Sequence, residues 1–201
     1  MATYLRDLNG GQHSVLEANF LAARRTGQVK AQLPLSTEAD VGFEFAEPAE
    51  NGIFLSYNMV EGEVRKPGSS NPQNAPKLML HFSVEKEYDN FRPGLDTYAI
   101  YRQDDNRYPG TPYPRLFQPH VGDTFTTDAI RISDDPNLDQ AAMEAAWEGV
   151  DVGIPYGVDE DGYINCTGDS TTGTGIQLVL LEKTTLPNGG AAGKFSVGVV
   201  A

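Results

Sequence analysis

The sequence has one cysteine, Cys166, which excludes an intramolecular disulfide framework. No cysteine or histidine stands near it in sequence to suggest a metal site. A lone thiol fits a reducing compartment, or a fold that needs no redox staple. Basic residues are also few, 15 Lys and Arg against 28 Asp and Glu, which leaves a formal net charge of −13. A surface this acidic repels phosphate backbones, which argues against nucleic-acid binding through a broad basic face. No run of about 18 apolar residues occurs, so no bilayer-spanning helix is expected. Residues 1–11 lack the apolar core of a signal peptide, and synthesis in the cytoplasm is the expectation. Asn165-Cys166-Thr167 matches a glycosylation sequon, but without an export signal it carries no weight.

Catalytic and cofactor patterns are similarly sparse. The three histidines, His13, His81 and His120, stand apart from one another, and a structural or surface role is expected for each. Gly168-Asp169-Ser170 resembles the nucleophile segment of trypsin-like proteases, but Thr171-Thr172 replaces the glycine pair that segment needs. Gly173-Thr174-Gly175 is too short for a dinucleotide fingerprint and precedes a strand rather than a helix. Asp159 to Ile164 has the look of a calcium loop. With Gly162 at the sixth position, however, Gly157 and Gly168 fall where carboxylates are required, so a hairpin turn is the better reading. The doublets Asp104-Asp105 and Asp134-Asp135 could serve a glycosidase as paired acids. Doublets are expected by chance in so acidic a chain. No enzyme, metal or cofactor is expected, and a glycoside hydrolase is the least favoured reading.

What the sequence does have is turn formers and short alternating runs. Its 201 residues are enough for one large domain or two small ones with a sizeable core. Glycine and proline are spread along the chain, which favours many short elements. Ser14 to Glu17 reads as a capping box, with Leu16, Phe20 and Ala23 on one face, Arg24 and Arg25 in the last turn and Gly27 as the stop. That predicts a helix from Ser14, following a flexible N-terminal segment. Alternation predicts strands through Val41, Phe43 and Phe45, and through Ile53, Leu55 and Tyr57. Further strands are predicted through Leu78, Leu80 and Phe82, over 96–102, and around Leu116 to Phe125. Asp135-Pro136 should open a second helix that ends at Gly149. Strands over 150–156, 162–166, 176–182 and 194–200 should follow, with hairpin turns at 159–162 and 187–190.

The expected fold is α+β and β-dominated: a β-barrel or sandwich-like domain with an N-terminal arm, one N-terminal helix and one inserted helix. The arm and helix take residues 1–36 and the β-rich domain 37–201, with a possible subdomain boundary in the Pro/Gly/Ser/Asn-rich stretch 66–76. Tyr88, Phe91, Tyr98, Tyr101, Tyr108, Tyr113 and Phe117 concentrate in the middle third. They either fill a small β core or present an exposed platform for sugar or protein.

Val121-Gly122-Asp123-Thr124-Phe125-Thr126-Thr127 resembles the Val-Gly-Asp-x-hydrophobic segment of small β-barrel head proteins of tailed bacteriophages. The closing strand pair split by Leu186 to Gly190 is similar in style, as is an arm with Gln32-Leu33-Pro34-Leu35 leading into a β domain. The family is that of capsid decoration, or cement, proteins, and the likeness covers the arm and roughly the last 90 residues. The middle third departs from a minimal barrel of that family.

The resemblance implies a non-enzymatic virion protein on the capsid exterior. It would bind the major capsid protein, often as a homo-oligomer such as a trimer, and would engage neither nucleic acid nor membrane. Leu33, Pro34 and Leu35 in the arm, with Tyr101, Tyr108 and Tyr113, are then the expected partner-binding residues. A carbohydrate- or receptor-binding module, or another capsid-associated role such as a head-fibre base, is the alternative.

Overall fold

The computed structural model describes residues 2–11, 13–21, 23, 28–45, 47–68, 78–83, 99–102, 104, 113–168 and 176–200. In chain order the elements are β1 (Thr3–Tyr4), α1 (Leu5–Leu8), β2 (Leu16–Phe20), β3 (Val29–Lys30), β4 (Phe54–Asn58) and β5 (Glu63–Arg65). Next come β6 (Leu78–His81), β7 (Leu116–Phe117), β8 (Thr124–Thr127), β9 (Ile130–Ser133) and α2 (Gln140–Glu148). The chain closes with β10 (Pro155–Val158), β11 (Ile164–Asn165), β12 (Ile176–Thr185) and β13 (Ala191–Val200).

These strands form two open sheets, an eight-stranded one ordered β1-β9-β11-β10-β12-β13-β8-β2 and a five-stranded one ordered β3-β7-β6-β4-β5. Of the two expected architectures, the sandwich is the one found. Pairing is antiparallel except between β9 and β11. No helix among the described residues is long and apolar enough to cross a membrane.

Alternation explains the large sheet. In β12, Ile176, Leu178 and Leu180 are buried while Gln177 is exposed, and in β13 Phe195 and Val197 are buried. Period-two burial puts each set on the inner face. There Phe125, Ile130, Ile164, Leu178 and Phe195 meet Phe54, Leu78 and Leu80 of the small sheet. The small sheet is covered on its other face too. Ile53, Leu55, Val64, Met79 and Leu116 pack there with Leu35, Phe43, Ala49 and Ile100. That second core explains why all four residues of β6 are buried.

Several expectations are corrected. The segment from Ser14 is a strand, β2, antiparallel to β8, and not a helix. Ser14 does not cap: its hydroxyl donates to Glu50 Oε2 at 2.6 Å, and Leu16 sinks into the first core. Arg24, Arg25 and Gly27 of the expected helix lie outside the described residues. The short helix α1 lies earlier, at Leu5–Leu8.

The segment expected as an arm is built into both sheets. β1 pairs with β9, β3 with β7, and Leu35 bridges Val64. The stretch around Val41, Phe43 and Phe45 is a turn and loop. Gly42 N donates to Glu38 O at 2.8 Å and Phe43 N to Ser36 O at 2.9 Å, so these bonds close the loop on itself.

The second helix begins at Gln140, with Asp139 Oδ1 accepting from Ala142 N at 2.8 Å, and ends at Gly149 as expected. Asp135 makes a separate turn instead, its Oδ1 accepting from Asn137 N at 2.9 Å. Residues Val150 to Ile154 are a loop, and the strand expected there starts only at Pro155. Both predicted hairpin turns are found, joining β10 to β11 and β12 to β13. Most of the expected boundary stretch, residues 69–76, lies outside the described residues.

Candidate functional site

Polar burial concentrates where the N-terminal segment meets the two sheets. Glu50, Asp123, Asp128 and Asp159 are all buried. Each carboxylate accepts from backbone N–H groups that secondary structure leaves over. Glu50 Oε2 accepts from Ser14 N at 3.1 Å, and Asp128 Oδ1 from Val15 N at 2.6 Å. Asp123 Oδ2 accepts from His120 N at 2.8 Å, and Asp159 Oδ1 from Tyr163 N at 2.8 Å. Asn9 adds a further clamp. Its amide donates to Asp128 Oδ2 at 3.2 Å and Ala191 O at 2.9 Å, and its carbonyl accepts from Ala191 N at 2.7 Å. Burial pushes Asp128 up to about 6, against the bonds from Val15 and Asn9 that favour its charged form. Burial likewise pushes Asp159 up to about 6, with the nearby Asp161 adding to the effect.

A cleft of about 820 Å³ opens beside this network, lined by β1, α1, β9, the stretch around Glu47 to Ile53 and the β10–β11 turn. The rings of Tyr4 and Tyr163 lie 4.1 Å apart. The Arg6 guanidinium lies 5.1 Å from the first ring and 5.5 Å from the second, and donates to Tyr163 Oη at 3.0 Å. Arg6 also forms an ion pair with buried Glu50. Lys66 pairs with Glu47 and with Asp161 at 3.2 Å, and Arg131 pairs with Asp134 at 2.8 Å and Asp159 at 3.4 Å.

Burial raises both phenols, and the Asp159 and Asp161 charges raise them further. Burial works against the Lys66 ammonium, but Glu47 and Asp161 outweigh it and hold its pKa above the ordinary value. At neutral pH the phenols therefore stay protonated, and each of these three cations faces a carboxylate. The chemistry of the cleft is cross-linking: it ties the first helix to the hairpin turn and the small sheet.

A serine–histidine contact escaped the sequence reading. His81 Nε2 lies 2.6 Å from Ser83 Oγ, and His81 Nδ1 lies 2.6 Å from the Glu50 carbonyl oxygen. A carbonyl can only accept, so Nδ1 carries the proton and Nε2 accepts from Ser83. Ser83 Oγ in turn accepts from Arg115 N at 2.6 Å. The spacing i, i+2 on a strand places two side chains on one face, and that was the available signal. A general base must become a cation during turnover, and a carboxylate normally stabilises it. Here the ring is fully buried against a neutral carbonyl, and burial pushes its pKa down to about 3. The pair is suited to relaying hydrogen bonds between β6 and Arg115.

The expected partner-binding residues are dispersed. Leu35 is buried in the second core, Leu33 packs against that core, and Pro34 O accepts from Val64 N at 2.9 Å. Tyr101 is half-buried, with its hydroxyl 3.3 Å from His13 Nε2. Tyr113 is 50% exposed. Tyr108 lies outside the described residues, as do Tyr88, Phe91, Tyr98, Asp105 and the 169–175 segment. Phe117 is core. Asp104 pairs with Arg102, which lowers its pKa, and Asp134 pairs with Arg131. Burial raises the Cys166 thiol, which disfavours the reactive thiolate.

Among the described residues, one carboxylate group has metal-like spacing: Glu38, Glu61 and Glu63, with oxygens within 4.8 Å of one another. Arg65 Nη2 sits among them, 2.5 Å from Glu38, 2.6 Å from Glu63 and in contact with Glu61. The guanidinium stands where a cation would.

No protein-family model, curated protein or solved structure matches this chain.

The Val121-Gly122-Asp123 segment forms the turn between β7 and β8. Gly122 N donates to Val197 O at 2.9 Å, and Val197 N donates to Asp123 O at 3.0 Å. Asp123 Oδ2 holds the turn from within through His120 N. The turn is thereby sewn onto the last strand, and β8 continues the contact by pairing with β13 from Thr124 to Thr127.

Proposed function

We propose that this chain is a structural protein of a tailed-phage head, a decoration protein that binds the outside of the capsid and stabilises it. The supporting observation is the meeting of two distant segments that resemble that family. The Val121-Gly122-Asp123 turn and the closing β12–β13 hairpin form one hydrogen-bonded unit through Val197. On this reading the partner is the major capsid protein, and an oligomer, a trimer for instance, spans several shell subunits. Weak contacts to neighbouring subunits then multiply through avidity. The net charge of −13 suits the exterior of a shell, away from packaged DNA.

The test is co-sedimentation of purified protein with empty shells of the phage that carries its gene, quantified as copies per shell. Saturation at a copy number matching shell symmetry is expected, together with a higher disruption temperature for decorated shells. Absence of saturable binding to intact shells would overturn the reading.

A further inference from the structure

The β4–β5 hairpin ends in an apolar tip. Val60 is 94% exposed and Met59 69% exposed, side by side in the loop between the strands. On the same sheet Phe54, Leu55, Leu78, Met79, Leu80 and Leu116 fill one of the two cores, whereas Met59 and Val60 lie in neither. The tip is held in shape: Asn58 Oδ1 accepts from Val60 N at 3.0 Å and Glu61 N at 3.3 Å, and Gly62 N donates to Asn58 O at 3.0 Å. The base is braced by Arg65, which gathers Glu38, Glu61 and Glu63. A pre-shaped apolar knob loses little freedom on docking, and buried apolar anchors of this kind carry much of an interface's binding energy.

The charges around the knob select its partner. Three carboxylates share one guanidinium, within a chain whose formal net charge is −13. Anionic lipid and nucleic acid are repelled, while a protein surface with Lys or Arg around an apolar socket is attracted. We propose that the Met59–Val60 tip is a docking knob that inserts into a basic-rimmed apolar socket on the shell protein. The inference rests on the shell-binding reading above and assigns the contact to this hairpin in place of the 33–35 segment.

The test compares the full-length wild type with Met59→Ser/Val60→Ser and Glu61→Gln/Glu63→Gln double variants in the same shell co-sedimentation. Thermal melts run in parallel check that each variant is folded. For the first variant, binding at least about tenfold weaker with an unchanged melting midpoint is expected. For the second, affinity should fall and its dependence on salt should flatten. Saturable wild-type binding that both variants reproduce would overturn the knob and leave the shell-binding reading standing. A wild type that does not sediment with shells would overturn both.

Discussion

At the scale of single residues, the buried titrating groups have opposite signs. Asp128 and Asp159 are raised from the ordinary carboxyl value to about 6. Between those values the native state binds more protons than the unfolded chain. Their contribution to stability is therefore fully present below the unfolded pKa and is lost as pH rises through about 6. His81 is lowered to about 3, so its contribution is present above its unfolded value near 6.5 and is lost as pH falls towards 3. The two tendencies oppose each other between pH 4 and 6, and single variants should separate them. Relative to wild type, Asp128→Asn is expected to gain stability between pH 4 and pH 7, because the amide removes a buried charge that exists only at the upper end. Urea unfolding at pH 4.5, 5.5 and 7 reads the difference. A wild-type-minus-variant stability that does not change with pH would show that Asp128 does not titrate in this range.

At the scale of elements, the β10–β11 turn is the joint that most restricts substitution. Gly162 has φ +97°, and its carbonyl accepts from Phe54 N at 2.7 Å, which links the two sheets. A Cβ at Gly162 would lie 2.3 Å from the Phe54 carbonyl oxygen, a backbone atom that cannot swing away. Gly162→Ala is therefore expected to cost about 2 kcal/mol or more, from the backbone conformation and the clash together. The urea midpoint measures it, and a loss below about 0.5 kcal/mol, the range of an ordinary surface change, would contradict the inter-sheet contact. Legibility at this scale followed locality. The two hairpin turns were readable because turn chemistry sits within a few residues. The β2 strand was not, because Ser14 and Glu17 satisfy a helix cap locally, while the groups that claim Ser14 and Val15, Glu50 and Asp128, lie 36 and 113 positions away.

At the scale of the whole molecule, the N-terminal segment is structural. Residues 1–36 supply Leu5 and Leu16 to the first core and Leu35 to the second, with strands in both sheets. Deletion of 1–36 is expected to abolish cooperative unfolding rather than leave a folded domain without an arm. Circular dichroism and a denaturant titration of the truncated chain test this, and a retained sigmoidal transition at a similar midpoint would refute it. The partner-binding residues chosen from sequence share the same dependence on long-range packing. An apolar triplet such as Leu33-Pro34-Leu35 reads alike as a contact arm or as core. The parallel bridge of Leu35 to Val64 places Leu35 in the second core, with Leu33 packed against it.

The sequence by itself determined the class of this protein: acidic, β-dominated, with hairpin turns at 159–162 and 187–190 and a helix ending at Gly149. Those features rest on composition, period-two alternation and residues a few positions apart, so no partner from elsewhere in the chain is needed to read them. Tertiary structure alone decided that the sheets stay open, that the small sheet is buried on both faces, and that Ser14 to Phe20 is extended. It also left Met59 and Val60 outside both cores, at a hairpin apex. The physical reason is that an isolated strand's worth depends on which edge receives it and what covers its faces, and those neighbours come from remote parts of the chain.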